Sequence, residues 1–216
     1  MAAGEAKMKE GNMDMAAGIV TSLAEQGDAG AQLSLAKLYR QGEGVAKDLS
    51  AAVKWCRMAA DQGLAKAQHN LGVTYDEGDG VKQDHVEAAK WFHLAADQGF
   101  APSQHNLGDM YLRGLGVAED PGRALEFFHL AADQGLVRSQ FCLGSMYNEG
   151  RGVNRNCARA ANLYRAAAEQ GDPLAQLNIG IMYRDGRGVV QNEDEAQKWF
   201  ELARSHVDAR TRRKPT

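Results

Sequence analysis

One stretch of this sequence returns five times. "LAKLYRQGEGVAKD" at 35–48 is followed by "LGVTYDEGDGVKQD" at 71–84 and "LGDMYLRGLGVAED" at 107–120, then by "LGSMYNEGRGVNRN" at 143–156 and "IGIMYRDGRGVVQN" at 179–192. Each step is 36 residues. A period of this size restricts the chain to a stack of small supersecondary units, each burying its apolar face against the next. It also decides what the closely spaced glycines do. Gly78 and Gly80 between two helix-like runs resemble a phosphate-binding loop, but such a loop is needed once. It also wants a following Lys-Ser/Thr, which all five copies lack. The glycines turn the chain.

Several columns hold the register. Gln-Gly pairs begin at Gln26, Gln62, Gln98, Gln134 and Gln170, and tyrosines fall at Tyr39, Tyr75, Tyr111, Tyr147 and Tyr183. An aromatic or leucine column runs Trp55, Trp91, Phe127, Leu163, Trp199, and alanine pairs follow it, as at Ala59-Ala60 and Ala95-Ala96.

Each copy reads as two helices. In the second copy, helix A is "AKAQHNLGVTYDE", with Ala67, Leu71 and Tyr75 at i, i+4 and i+8 on one face. Gly72, Gly108, Gly144 and Gly180 lie inside this helix, with Ala36 in the first copy. A mid-helix glycine costs about 1 kcal/mol relative to alanine, so its recurrence predicts a helix crossing too close for a side chain. The first glycine of Gly-x-Gly-Val ends helix A in a left-handed turn. Val45, Val81, Val117, Val153 and Val189 are then expected to plug back toward the core. Helix B starts after a capping column, Asp48, Asp84, Asp120, Asn156 and Asn192. It is expected to bury the Trp/Phe column and the alanine pairs. An acidic column at Glu25, Asp61, Asp97, Asp133 and Glu169 opposes the helix dipole in every copy. It is expected to accept hydrogen bonds from the next helix A.

Composition narrows the function. The 216 residues carry 25 basic and 28 acidic groups. A dedicated nucleic-acid binder would show a strongly basic face. No window approaches 18 uninterrupted apolar residues, which argues against a membrane span. The start has no apolar run of signal-peptide length, and a cytoplasmic protein is expected. Cys56, Cys142 and Cys157 sit at different places in the repeat and are odd in number, which suits reduced thiols better than a disulfide framework. No Gly-x-Ser-x-Gly, His-Glu-x-x-His or Cys-x-x-Cys occurs. Histidines in one column, such as His69 and His105, stand a repeat apart, too far for shared ligation at about 2 Å. The expectation is no enzyme, no cofactor and no metal site.

The run A-x3-LG-x2-Y-x2-G-x-GV, followed by the capping Asp, the Trp/Phe column and the alanine pair, resembles the Sel-one-like repeat (SLR) family over residues 12 to 206. That family is a subgroup of α/α solenoids related to tetratricopeptide repeats. The resemblance implies an all-α, right-handed superhelical solenoid of five two-helix repeats. The expected bounds are a degenerate N-terminal cap over 1–27, repeats over 28–63, 64–99, 100–135, 136–171 and 172–206, and a basic, disordered tail over 207–216. In the cap, Asn12 falls in the capping column and divides a helix A from a helix B. Family members serve as non-catalytic adaptors and scaffolds, among them ligase adaptor subunits, enzyme activators and bacterial host-interaction proteins. A monomer is expected, and analogy with tetratricopeptide repeats puts binding of a partner protein or peptide on the concave helix-A surface. A regulatory subunit that activates an enzyme and a host-interaction factor are the alternatives.

Columns of helix A that vary are where specificity is written. Residues 64–135 carry a net charge of −6 and residues 136–171 a net charge of +3. Asp76 and Glu77 sit at a helix C-terminus, where acids are unfavourable, and no other copy repeats them as a pair. With Asp109, His69 and His105 they are the candidate contact for a basic segment, and Phe141 is a candidate apolar anchor.

Overall fold

The computed structural model describes the backbone of residues 2–211 and the side chains of residues 14–205. Among the described residues there are eleven helices and no strand. They are α1 (Ala2–Glu25), α2 (Ala29–Gln41), α3 (Leu49–Asp61), α4 (Ala65–Glu77), α5 (His85–Asp97), α6 (Ala101–Arg113), α7 (Pro121–Asp133), α8 (Val137–Glu149), α9 (Cys157–Glu169), α10 (Pro173–Asp185) and α11 (Glu193–Thr211). Two compact units divide the chain: 1–103 with 115–118, and 104–114 with 119–216. Within the first, α1 to α5 pack successively; within the second, α7 to α11 do so. The architecture is an all-α solenoid of two-helix repeats, with even-numbered helices from α2 to α10 as helix A and the odd-numbered ones after them as helix B.

The loop between helix A and helix B is clipped at both ends. Gly78 closes α4 with φ 75°, its N–H donating to Thr74 O at 2.9 Å. Asp84 N donates back to Tyr75 O at 2.9 Å, a bond repeated from Asp48 to Tyr39 and from Asn156 to Tyr147. Gly80 also approaches the preceding repeat so closely that a Cβ there would stand 2.9 Å from Leu49 O. The loop valines are half-buried. Each capping side chain then takes an N–H of its own helix B, as Asp84 Oδ1 does from Glu87 N at 3.0 Å. Asp84→Ala is expected to cost about 1 kcal/mol, read as a lower urea midpoint with an unchanged slope.

The helix-A glycine answers to one partner. A Cβ on Gly72 would stand 2.6 Å from the Phe92 ring, and one on Gly108 would stand 2.7 Å from Phe128. Tyr164 meets Gly144, and Phe200 meets Gly180, in the same way. This ring column is one residue past the Trp/Phe column, and it holds the two deepest aromatic side chains, Phe92 and Phe128, each 1% exposed. The Trp91 column lies shallower, and Trp91 itself joins Ala59, Ala60 and Leu71 from the preceding helices. The alanine pairs are buried throughout the first four copies.

A second buried column is polar. Gln98 Nε2 donates to Gln68 Oε1 at 2.7 Å, and Gln68 Nε2 donates to Ala60 O at 3.3 Å. The same ladder links Gln62 to Gln32 and then to Ala24 O, and Gln170 to Gln140 and then to Ala132 O. A buried amide must find partners, and here it ties α2, α4 and α8 each to the helices on both sides. The acidic column lies exposed; the corner is bonded by glutamines rather than by those acids.

Both ends differ from expectation. The backbone of α1 runs unbroken through Asn12, so no cap divides it there. Its alanines and long unbranched residues carry the helix through Gly11 at a cost of only about 1 kcal/mol. At the other end α11 continues to Thr211, past the residue at which the tail was expected to begin. The rest of that tail, residues 212–216, lies outside the described residues.

Candidate protein-interaction surface

Helix A carries the sequence-derived site residues, and the two units divide them. His69, Asp76 and Glu77 lie in the first; His105, Asp109 and Phe141 lie in the second.

In the first unit, His69 is held inside the stack. Its Nδ1 and the hydroxyl of Ser103, a fully buried residue, share a hydrogen bond of 2.9 Å. Its ring centroid lies 5.6 Å from that of Phe92 and 5.2 Å from that of Phe100. Burial pushes the imidazole down to about 4, so it is neutral at pH 7. Asp76 pairs with His85 Nδ1 at 2.8 Å, joining the end of α4 to the start of α5. That pairing offsets the unfavourable dipole position of the acid. Glu77 beside it is exposed.

In the second unit, His105 bonds Ser139 at 2.9 Å and packs 5.5 Å from Phe128. Burial again lowers its pKa, aided by Arg138 and opposed by Asp109. Asp109 accepts from Arg113 Nη1 at 2.9 Å, one helical turn on. Phe141 is half-buried, 5.6 Å from Tyr164.

Sequence reading missed Ser103 and Ser139. The signal was present: these serines replace the helix-A alanines Ala67 and Ala175, and each follows a histidine by 34 residues. Where the next helix A carries alanine, the histidine position is Leu33 or Phe141.

The three cysteines are free thiols, and burial pushes Cys56 and Cys142 up to about 11. Among the described residues no group of three or more His, Cys, Asp or Glu is placed to hold a metal ion, and no helix is long and apolar enough to cross a membrane.

Stacked helix pairs with exposed, variable helix-A columns define a class, the α/α repeat solenoids that serve as interaction scaffolds. The Sel1 repeat model matches five times, at 29–64, 65–100, 101–136, 137–172 and 173–206. The chain belongs to the Sel1 repeat family, whose members are in general scaffolds for protein–protein interaction. Among solved structures it is similar to a protective antigen of uropathogenic Escherichia coli strains that displays an SLR fold. That match has 44% identity and a TM-score of 0.85, over 87% of this chain and 40% of the other. The chain therefore spans less than half the length of that protein. It is also similar to a Sel1 repeat protein from Oxalobacter formigenes, with 32% identity and a TM-score of 0.84, over 95% of this chain and 82% of the other. An immunity protein from Pseudomonas aeruginosa, 22% identical with a TM-score of 0.54 over 88% of this chain and 72% of the other, shares the fold alone. A comparison with curated proteins found no significant match.

Proposed function

We propose that this chain is a non-catalytic adaptor that holds a segment or domain of a partner protein against its helix-A surface. The observation that carries the reading is the contrast between columns. Glycine, ring, glutamine and cap repeat because they build the stack, while exposed helix-A positions such as Lys37 and Arg40 change from copy to copy. Repeat solenoids place recognition on such preformed surfaces. Exposed Glu77 with Asp76 in the first unit, and Asp109 with Phe141 in the second, are each proposed contacts for a partner with basic and apolar side chains. A second reading, a bacterial host-interaction factor, draws on the 44% identity with the protective antigen.

The test is photo-cross-linking. A benzophenone side chain is placed at exposed helix-A positions (Lys37, Lys66, Glu77) or at exposed helix-B positions (Lys54, Lys90), and adducts are captured from native lysate. Partner adducts from helix A alone are expected. Adducts confined to helix B, or none from any position, would overturn the reading.

A further inference from the structure

Repeat 1 departs from the other four at two positions that belong together. Where they have glycine inside helix A it has Ala36, and where they have the ring that meets that glycine it has Cys56. The pair is mutually consistent. Beside a ring, an added Cβ would meet carbon at 2.6 to 3.0 Å; beside a thiol it fits, and both residues are 6% exposed in one cluster. Losing the ring removes volume that alanine does not restore. A cavity of about 180 Å³, open to solvent, lies where the ring would be, between α2, α3 and α4. An apolar cavity of about 150 Å³ is sufficient to bind benzene.

The floor of this cavity is apolar: Leu33, Ala36, Val53 and Cys56. The thiol leans on Ala67 O at 3.5 Å, so the floor offers no orphan polar group. The rim is cationic. Lys37, Arg40 and Lys66 line it against one carboxylate, Asp79. Among the described residues no carboxylate lies within ion-pair distance of any of the three cations. The fourth repeat indicates how a ring would sit there. The hydroxyl of Tyr164 donates to Ser145 Oγ at 2.9 Å, and the residue at the Ser145 position in repeat 1 is Lys37. A ring in the cavity thus has its far edge toward an ammonium group.

The geometry points to this cavity as a docking site for a phenylalanine side chain of an acidic peptide segment in a partner protein, the guest ring taking the place that Phe92 and Phe128 fill in their own repeats. This rests on the adaptor reading above and adds to it a separate contact, in repeat 1, for an acidic stretch of the partner. The missing ring sets the size and shape of the guest, and the three free cations set the sign of its flanks.

The test uses the full chain and a fluorescein-labelled peptide with the core Glu-Asp-Phe-Glu-Asp, beside the same peptide with alanine for phenylalanine. Binding is followed by anisotropy and mapped by amide shifts. The phenylalanine peptide is expected to bind at least tenfold more tightly, with shifts at residues 33–40 and at Cys56. Ala36→Gly with Cys56→Phe installs the pairing seen at Gly72 and Phe92, so it should fold, fill the cavity and lower affinity at least tenfold. Lys37→Glu with Arg40→Glu should do likewise from the rim. Equal affinity for the two peptides, which needs no variant, would overturn the proposal. So would undiminished binding by the filled variant. A filled variant that still forms the helix-A cross-links to its partner would end this proposal and leave the adaptor reading standing, whereas absence of any cross-link would end the adaptor reading.

Discussion

Phe92→Ala is expected to destabilise the chain by about 3–5 kcal/mol, the range for a large aromatic truncated in a core. Phe92 is 1% exposed and lies against Gly72, which has no side chain to reach into the space. The sharper experiment is a cycle with the glycine. Gly72→Ala alone gains about 1 kcal/mol of helix propensity. It also forces a methyl to within 2.6 Å of the ring, and overpacking of that kind typically costs about 1–3 kcal/mol. A net loss is expected. With Phe92→Cys already in place, the same Gly72→Ala should be neutral or stabilising, because the pair then reproduces Ala36 and Cys56. The two positions should couple by about 2 kcal/mol in urea unfolding, within the range for residues in contact. A Gly72→Ala variant more stable than the wild type would show that the ring does not require the glycine.

That pairing also marks where sequence reading stopped. The period, the helix pairs and their caps were legible because each rests on local spacing: Asp84 caps α5 three residues from the N–H that it accepts. Gly72 was legible as a close approach, but its partner was not. The ring column reads Cys56, Phe92, Phe128, Tyr164, Phe200, and its first member breaks the pattern that would expose it, so the shallower Trp91 column drew the attention. The glutamine ladder joins residues 30 apart, and the histidine–serine bonds join residues 34 apart. Columns reveal that such residues recur; only the stacking of one helix on another shows which column meets which. The ends were least legible because they have no second copy to compare. Nothing in the periodicity at Asn12 separates a cap from a residue inside a longer helix.

The buried histidines make the second large effect, a loss of stability on mild acidification. Burial holds His69 at about 4, below its ordinary 6.5. Between those values the unfolded chain binds a proton there that the folded chain refuses, so folding stability rises with pH across the window. The contribution is complete above pH 6.5, is lost as pH falls from 6.5 to 4, and is gone below 4. A shift of that size corresponds to about 3 kcal/mol. His105, whose pKa burial also lowers, adds a loss of the same sign. Carboxylates protonate in the lower part of this range as well, so the histidine must be isolated. Repeat 1 supplies the replacement, since Leu33 packs against the cluster that holds Ala67 where His69 meets Ser103. His69→Leu with Ser103→Ala should leave the helices in place and reduce the stability difference between pH 7 and pH 4 by about 3 kcal/mol, measured by urea unfolding at both values. An undiminished difference would mean that His69 takes up its proton in the folded chain as readily as in the unfolded one, and that the bond to Ser103 does not shelter a neutral ring.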